Sequence, residues 1–202
     1  MSNGWDIYKK LPGFVFGFHG CDESVGEAVL QGKQSLSPSE NDYDWLGSGI
    51  YFWEGNPERA LKFAEEAVNR KPKTTKGKIR KPFVIGAVVD LGYCFNLMDS
   101  SSLAELKSAH LALSSAWQIT GTKPPVNTGG PDKGARYLDR AVIEAMHKIR
   151  SDTNLAPYET VRSAFWEGEE LYSGAGFSEN AHIQIAVRNV ECIRGYFRPI
   201  SK

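Results

Sequence analysis

Chemistry in this chain is concentrated in three short stretches. Residues 45–53 read Trp-Leu-Gly-Ser-Gly-Ile-Tyr-Phe-Trp. Two glycines one residue apart, followed by a β-branched and three aromatic residues, specify a tight turn feeding a short strand. Rings beside such a turn serve either a pocket or a core, and aromatics mostly fill cores. The second stretch is 14–20, Phe-Val-Phe-Gly-Phe-His-Gly. With a period of two, Phe14, Phe16 and Phe18 share one face and Val15, Gly17 and His19 the other. His19 therefore ends a strand beside Gly20, where backbone groups are free to meet a ligand; a satisfied structural imidazole is the plainer reading of a lone histidine. In the third stretch, 182–187, Ile183, Ile185 and Val187 face the core, which turns His182 and Gln184 the other way. An exposed strand residue is the plainer reading of Gln184.

The elements that carry these residues alternate between strand and helix patterns. Residues 22–32 read as a short helix that Gly32 terminates. The polar stretch 33–44 is a loop, and its acids Asp42 and Asp44 read as solvated. Pro57 suits the first turn of a helix running to about residue 70, with Asn56 before it as cap. That helix leads into the chain's dense positive run, 70–81, which reads as a solvated loop or a contact for a phosphate-bearing target. Residues 83–91 are apolar on both faces and are expected to form the middle of the sheet. Helices follow at 100–117 and 136–149, separated by a breaker-rich loop at 121–131, with His110 on a helix surface. Strands return at 160–167, 182–187 and about 192–197. Strands at both ends, with no regular βαβ alternation, specify an α+β domain with a mostly antiparallel or mixed sheet.

Composition bounds the function. The 202 residues fit one domain with an ordinary globular make-up, 41% hydrophobic and 24% charged. Lys plus Arg equals Asp plus Glu at 24 each, so no whole-molecule field draws the chain to nucleic acid or membrane. The three cysteines, Cys21, Cys94 and Cys192, have no Cys-x-x-Cys spacing and read as reduced thiols. A start without a basic region and apolar run, and no stretch of membrane-spanning length, predict a cytoplasmic protein with no membrane partner.

Taken together, Phe18-His19-Gly20, then 46–52 with its following alanine-rich helix, then 85–92 resemble the catalytic domain of poly(ADP-ribose) polymerases and diphtheria-toxin-type ADP-ribosyltransferases. The resemblance covers roughly 14–98 well and 160–197 more loosely. The chain is also similar to small stand-alone bacterial toxin and phage-defence proteins of that superfamily. The resemblance implies a single catalytic domain over 1–202, with ADP-ribosyltransferase-like split mixed or antiparallel sheets flanked by helices and a helical insertion at about 99–159.

It implies a reaction as well. NAD is the substrate: its nicotinamide–ribose bond breaks through an oxocarbenium ion, and ADP-ribose passes to a macromolecular acceptor, protein or nucleic acid, with no metal required. By the same resemblance His19 holds the adenosine ribose, the Gly20 backbone clamps the nicotinamide carboxamide, and Tyr51 stacks on the nicotinamide ring. Gly47 and Gly49 would let the backbone approach the ligand, with the Ser48 hydroxyl near the same ring. The family's third triad position is a glutamate, and here the alignment puts Gln184 there, uncharged and unable to act as a base. Glu167, Glu169, Glu170 or Glu179 are the carboxylates available to replace it. The loop 168–180, with Tyr172 and Glu179 and leading to His182, corresponds to the segment that selects the acceptor. Arg162 faces either the NAD pyrophosphate or a surface ion-pair partner. A toxin role would imply a neutralising antitoxin. The alternatives are an NAD glycohydrolase, an RNA 2′-phosphotransferase, which would need several arginines and histidines around the pocket, and a module that binds NAD or ADP-ribose without turnover.

Overall fold

A computed structural model describes residues 13–69 and 79–200. Most of the positive run at 70–81, including 70–78, lies outside the described residues, as does 1–12. The described elements are β1 (Phe14–Asp22), α1 (Glu23–Leu30), β2 (Ile50–Glu54), α2 (Pro57–Asn69), β3 (Pro82–Asp90), β4 (Cys94–Asn96), α3 (Ser100–Thr120), α4 (Tyr137–Asp152), β5 (Thr160–Phe165), β6 (His182–Val187) and β7 (Ile193–Phe197). They form an α+β architecture around a mixed seven-stranded sheet ordered β4-β5-β6-β2-β1-β3-β7. Every neighbouring pair is antiparallel except β4 with β5.

Local sequence sets the helix ends. The Asp22 carboxylate accepts from the Ser24 N–H and starts α1. Pro57 opens α2, where the Asn56 amide oxygen accepts from the Arg59 N–H at 2.9 Å. Asp99 caps α3, and Gly121, in the left-handed region at φ 65°, closes it.

Two cores lie on opposite faces of the sheet. On one face Ile50 and Phe52 of β2, Ile185 and Val187 of β6, and Ile85, Ala87 and Val89 of β3 pack with Val29 of α1. On the other, Ala186, Val161 and Phe165 pack with Val142 and Met146 of α4 and Ala109 of α3. The 99–159 segment is therefore a structural layer over β4, β5 and β6. Helix α2 covers the same face at β1: a Cβ on Gly20 would run into the Ala60 carbonyl and Ala64. The three cysteines are free and buried in the first of these cores, Cys21 on β1, Cys94 on β4 and Cys192 just before β7.

The expectation that 83–91 forms the middle of the sheet is corrected. β3 lies one strand in from the β7 edge, and the middle strand is β2, which carries Tyr51. β3 is apolar on both faces because α1 covers one and α2 the other near the sheet's edge. The short edge strand β4 gave no alternation to read.

Candidate functional site where β1 and β2 part

β1 pairs with β3 along its whole length, from Phe14↔Asp90 to Asp22↔Pro82. Its pairing with β2 stops after Gly17↔Glu54 and Phe18↔Trp53. Antiparallel rungs alternate, and the Phe16 carbonyl accepting from the Gly55 N–H at 2.8 Å shows that even-numbered residues of β1 turn their backbone groups toward β2. The next rung would join Gly20 to Tyr51, and it is missing. In its place the His19 Nδ1–H donates to the Tyr51 carbonyl at 2.8 Å. The Gly20 N–H is thus aimed into the parting between the strands. The proton on Nδ1 leaves Nε2 as an acceptor, and burial holds the His19 pKa below the usual imidazole value against the raising effect of the Tyr51 carbonyl.

Tyr51 is held at its other end. Its hydroxyl donates to the Gly47 carbonyl at 2.7 Å and accepts from the Leu46 N–H at 2.8 Å, closing the turn back on its own strand. Burial, then the nearby Asp44 charge, push the phenol well above its ordinary pKa, so it is a neutral hydroxyl. Gly47 adopts φ 77°, and a Cβ there would lie 2.5 Å from Glu144 Oε1; one on Gly49 would lie 2.9 Å from the Val187 carbonyl. The close approach these glycines permit is to α4 and β6 of the chain itself. The Ser48 N–H donates to Glu144 Oε1 at 2.6 Å, its carbonyl accepts from Arg188 at 3.0 Å, and its hydroxyl accepts from Arg140 at 3.3 Å. Burial raises the Glu144 pKa, and the Arg188 guanidinium with the Ser48 N–H outweigh it, so the net shift is downward. Asp44 corrects the solvated-loop reading: it is buried, its Oδ2 has no partner, and burial raises its pKa.

Gln184 stands on β6 directly opposite Trp53 of β2 and Ser163 of β5. His182 is on the same face, its side chain 1% exposed. The Nδ1–H of His182 donates to the Asn180 carbonyl at 2.7 Å, which again leaves Nε2 as the acceptor. Burial lowers its pKa. Around these two residues the buried polar atoms without partners collect: Gln184 Oε1, His182 Nε2, Trp53 Nε1, and Nε and Nη1 of Arg59. Each such group costs about 1–3 kcal/mol when left unsatisfied, so the cluster needs a reason.

The remaining predicted residues are less central. Tyr172 is 61% exposed and Glu179 is exposed, on a loop that pairs with itself through Asn180 N–H to Glu167 C=O and Leu171 N–H to Phe177 C=O. Arg162 points to the face opposite Gln184. Its fork is taken by Glu54 at 2.5 and 2.8 Å, the ion-pair alternative of the two readings. Sequence reasoning missed Arg59, which looks like a surface residue of a charged helix, and the Glu144–Arg188 pair, whose members are 44 positions apart.

No family model matches the chain, and no solved structure matches it. Over 37 residues, 18% of this chain, it is 46% identical to an uncharacterized protein of Methanocaldococcus jannaschii. The matched stretch spans 17% of that protein's length. No helix of the described residues is long and apolar enough to cross a membrane.

Proposed function

We propose that the chain is an NAD-dependent ADP-ribosyltransferase of the His-Tyr-Glu type, acting on a macromolecular acceptor. One observation carries the reading: His19, Tyr51 and Gln184 stand on three neighbouring strands, β1, β2 and β6, in successive register rows around the place where β1 and β2 part. Adjacent strands are about 4.8 Å apart and successive residues about 3.4 Å, so the three backbones are close; the Tyr51 and Gln184 side chains share one face, and His19, whose ring meets Phe52, stands on the other at the parting itself. The parting supplies an unpaired Gly20 N–H, the kind of group that would meet a carboxamide.

In this reading the His19 Nε2 accepts from a ribose hydroxyl, and its Nδ1 bond to the Tyr51 carbonyl fixes the imidazole in that orientation. Tyr51 contributes its ring, which the bonds to Gly47 and Leu46 keep from rotating away. The C1′–N bond of NAD breaks with its electron pair going to nicotinamide, which leaves neutral; an acceptor nucleophile then bonds to C1′ and gives up its proton. Gln184 orients the ribose by hydrogen bonding and supplies no charge, so the oxocarbenium ion is stabilised chiefly by positioning.

A second reading, an NAD- or ADP-ribose-binding module without turnover, is favoured by one observation. The carboxylate nearest His182, that of Glu167, is bound to Arg59 at 2.6 Å. Incubation with labelled NAD, with and without lysate, separates the possibilities. Transfer gives label on a macromolecule that protease or nuclease removes; hydrolysis gives free ADP-ribose; a binding module gives neither. Neither product, with binding intact, would overturn the transferase reading.

A further inference from the structure

Arg59 is an enclosed cation with only part of its donor set in use. Its side chain is 10% exposed, and Nη2 meets Glu167 Oε2 at 2.6 Å. Nε and Nη1 are enclosed without acceptors, and so is the indole N–H of Trp53, whose ring lies 5.7 Å from the Arg59 Cζ. The position follows from α2. Arg59 is the third residue of the helix and Phe63 lies one turn further on, the Phe63 ring tilted against Trp53 at 5.0 Å. The unsatisfied donors thus sit together over β2, while the acceptors left over, Gln184 Oε1 and His182 Nε2, stand on β6 beside them.

Such a set matches one ligand chemistry. Guanidinium and indole N–H groups call for an anionic oxygen, and the glutamine carbonyl and neutral imidazole nitrogen call for hydroxyl donors. A phosphorylated sugar offers both. We propose that Arg59, with Trp53, is the seat of a phosphate oxygen of the dinucleotide and that Glu167 is its placeholder. The carboxylate occupies the guanidinium in the free protein and is exchanged for phosphate on binding. This rests on the NAD reading above for the identity of the ligand, and not for the anion exchange itself.

Glu167 is well placed to give way. It begins the self-paired loop that ends at Asn180, and that loop has a second tie to α2, Lys62 Nζ to Asn180 Oδ1 at 2.7 Å. Release of the carboxylate therefore leaves the loop anchored. Carboxylate and phosphate bind guanidinium through the same planar fork, so the two compete for one site.

The test is calorimetric titration of the wild type, Glu167→Gln and Arg59→Gln with NAD and, separately, with inorganic pyrophosphate, each protein first checked for a cooperative melt. Removing the competing charge in Glu167→Gln is expected to tighten both probes about two- to fivefold, the range in which partly exposed ion pairs lie. Arg59→Gln is expected to weaken both at least about tenfold. Glu167→Gln that leaves both affinities unchanged, or weakens them, overturns the exchange. If the wild type binds NAD and neither variant alters it, the seat is wrong and the NAD reading stands. If pyrophosphate binds and tightens in Glu167→Gln while NAD does not bind, the seat stands and the NAD reading falls. Binding of neither probe by the wild type removes both. Should Arg59→Gln not fold, Glu167→Gln alone decides.

Discussion

The His19 imidazole and the Tyr51 carbonyl oxygen, 2.8 Å apart, replace a backbone rung with a side-chain bond. The carbonyl that would accept from the Gly20 N–H accepts from Nδ1 instead, and the sheet parts there. His19→Ala frees that carbonyl. The expected outcome is that Gly20 and Tyr51 pair, the Gly20 amide exchanges more slowly with solvent, and NAD affinity falls. Faster or unchanged Gly20 exchange in a folded variant would show that the histidine does not keep the strands apart.

Tyr51→Phe removes only the hydroxyl. The Leu46 N–H and Gly47 C=O lose their partner together, and the loss should cost about 1–3 kcal/mol of stability, read as a lower urea midpoint with an unchanged slope. The ring remains, so NAD binding should weaken less than in Tyr51→Ala. Equal loss of affinity in the two variants would assign the effect to the turn and not to the ring.

Gln184→Ala should reduce NAD turnover more than NAD binding, because its hydrogen bond is expected to strengthen as the ribose becomes cationic. Gln184→Glu, which brings a carboxylate to a position opposite Trp53, should retain or raise NAD cleavage at the expense of transfer to the acceptor. Activity intact in Gln184→Ala but abolished in Glu179→Ala would move the catalytic carboxylate to the exposed loop and remove Gln184 from the site.

Arg162→Leu leaves the Glu54 carboxylate partly buried without its partner. A loss of about 3 kcal/mol is expected, at the low end for buried pairs because both side chains keep some exposure. NAD affinity should be unaffected, since the Glu54 carboxylate already holds Nε and Nη2 of Arg162. A folded Arg162→Leu variant with a large affinity loss would restore the pyrophosphate role.

Stability should fall as the pH is lowered from about 6.5 toward 4. His19, His147 and His182 all have depressed pKa values, each chiefly from burial, and His147 falls to about 4. In that interval the unfolded chain takes up protons that the folded protein refuses. The slope is on the order of 1.4 kcal/mol per pH unit for each histidine still neutral when folded. Thermal melts across the interval measure it, and His147→Asn should flatten the curve; a melting temperature independent of pH between 6.5 and 5 would contradict these burials.

Period-two alternation was enough to put His182 with Gln184 on one face of β6, because Ile185 and Val187 enter one core; that the other face is covered too, by the core that Ala186 enters, was not legible. Pro57 and Asn56 announced α2 for an equally local reason. Order in the sheet was not legible. Residues 83–91 are apolar on both faces whether such a strand is central or, as here, one from the edge with a helix on each side. The orphaned donors of Arg59 and the Glu144 clamp on Ser48 arise from residues far apart in sequence, and nothing in their own neighbourhoods marks them. Asp44 looks like any loop acid in the sequence, and only the structure shows it buried beside Asn41 and near the Arg140 charge of α4.

The three buried thiols make the chain its own reporter. Burial raises each to about 11, so almost no thiolate exists at neutral pH and an alkylating reagent must wait for the structure around it to open. Cys21 lies two residues beyond His19 beneath α1, Cys94 on the far edge strand, and Cys192 at the entry to β7. Timed alkylation followed by mass spectrometry would therefore clock the opening of their one shared core at three positions, with Cys94 and Cys192 near each other and Cys21 at the α1 side. Protection of Cys21 alone on adding a ligand would locate that ligand's rigidifying effect at the parting of β1 and β2 with no label introduced.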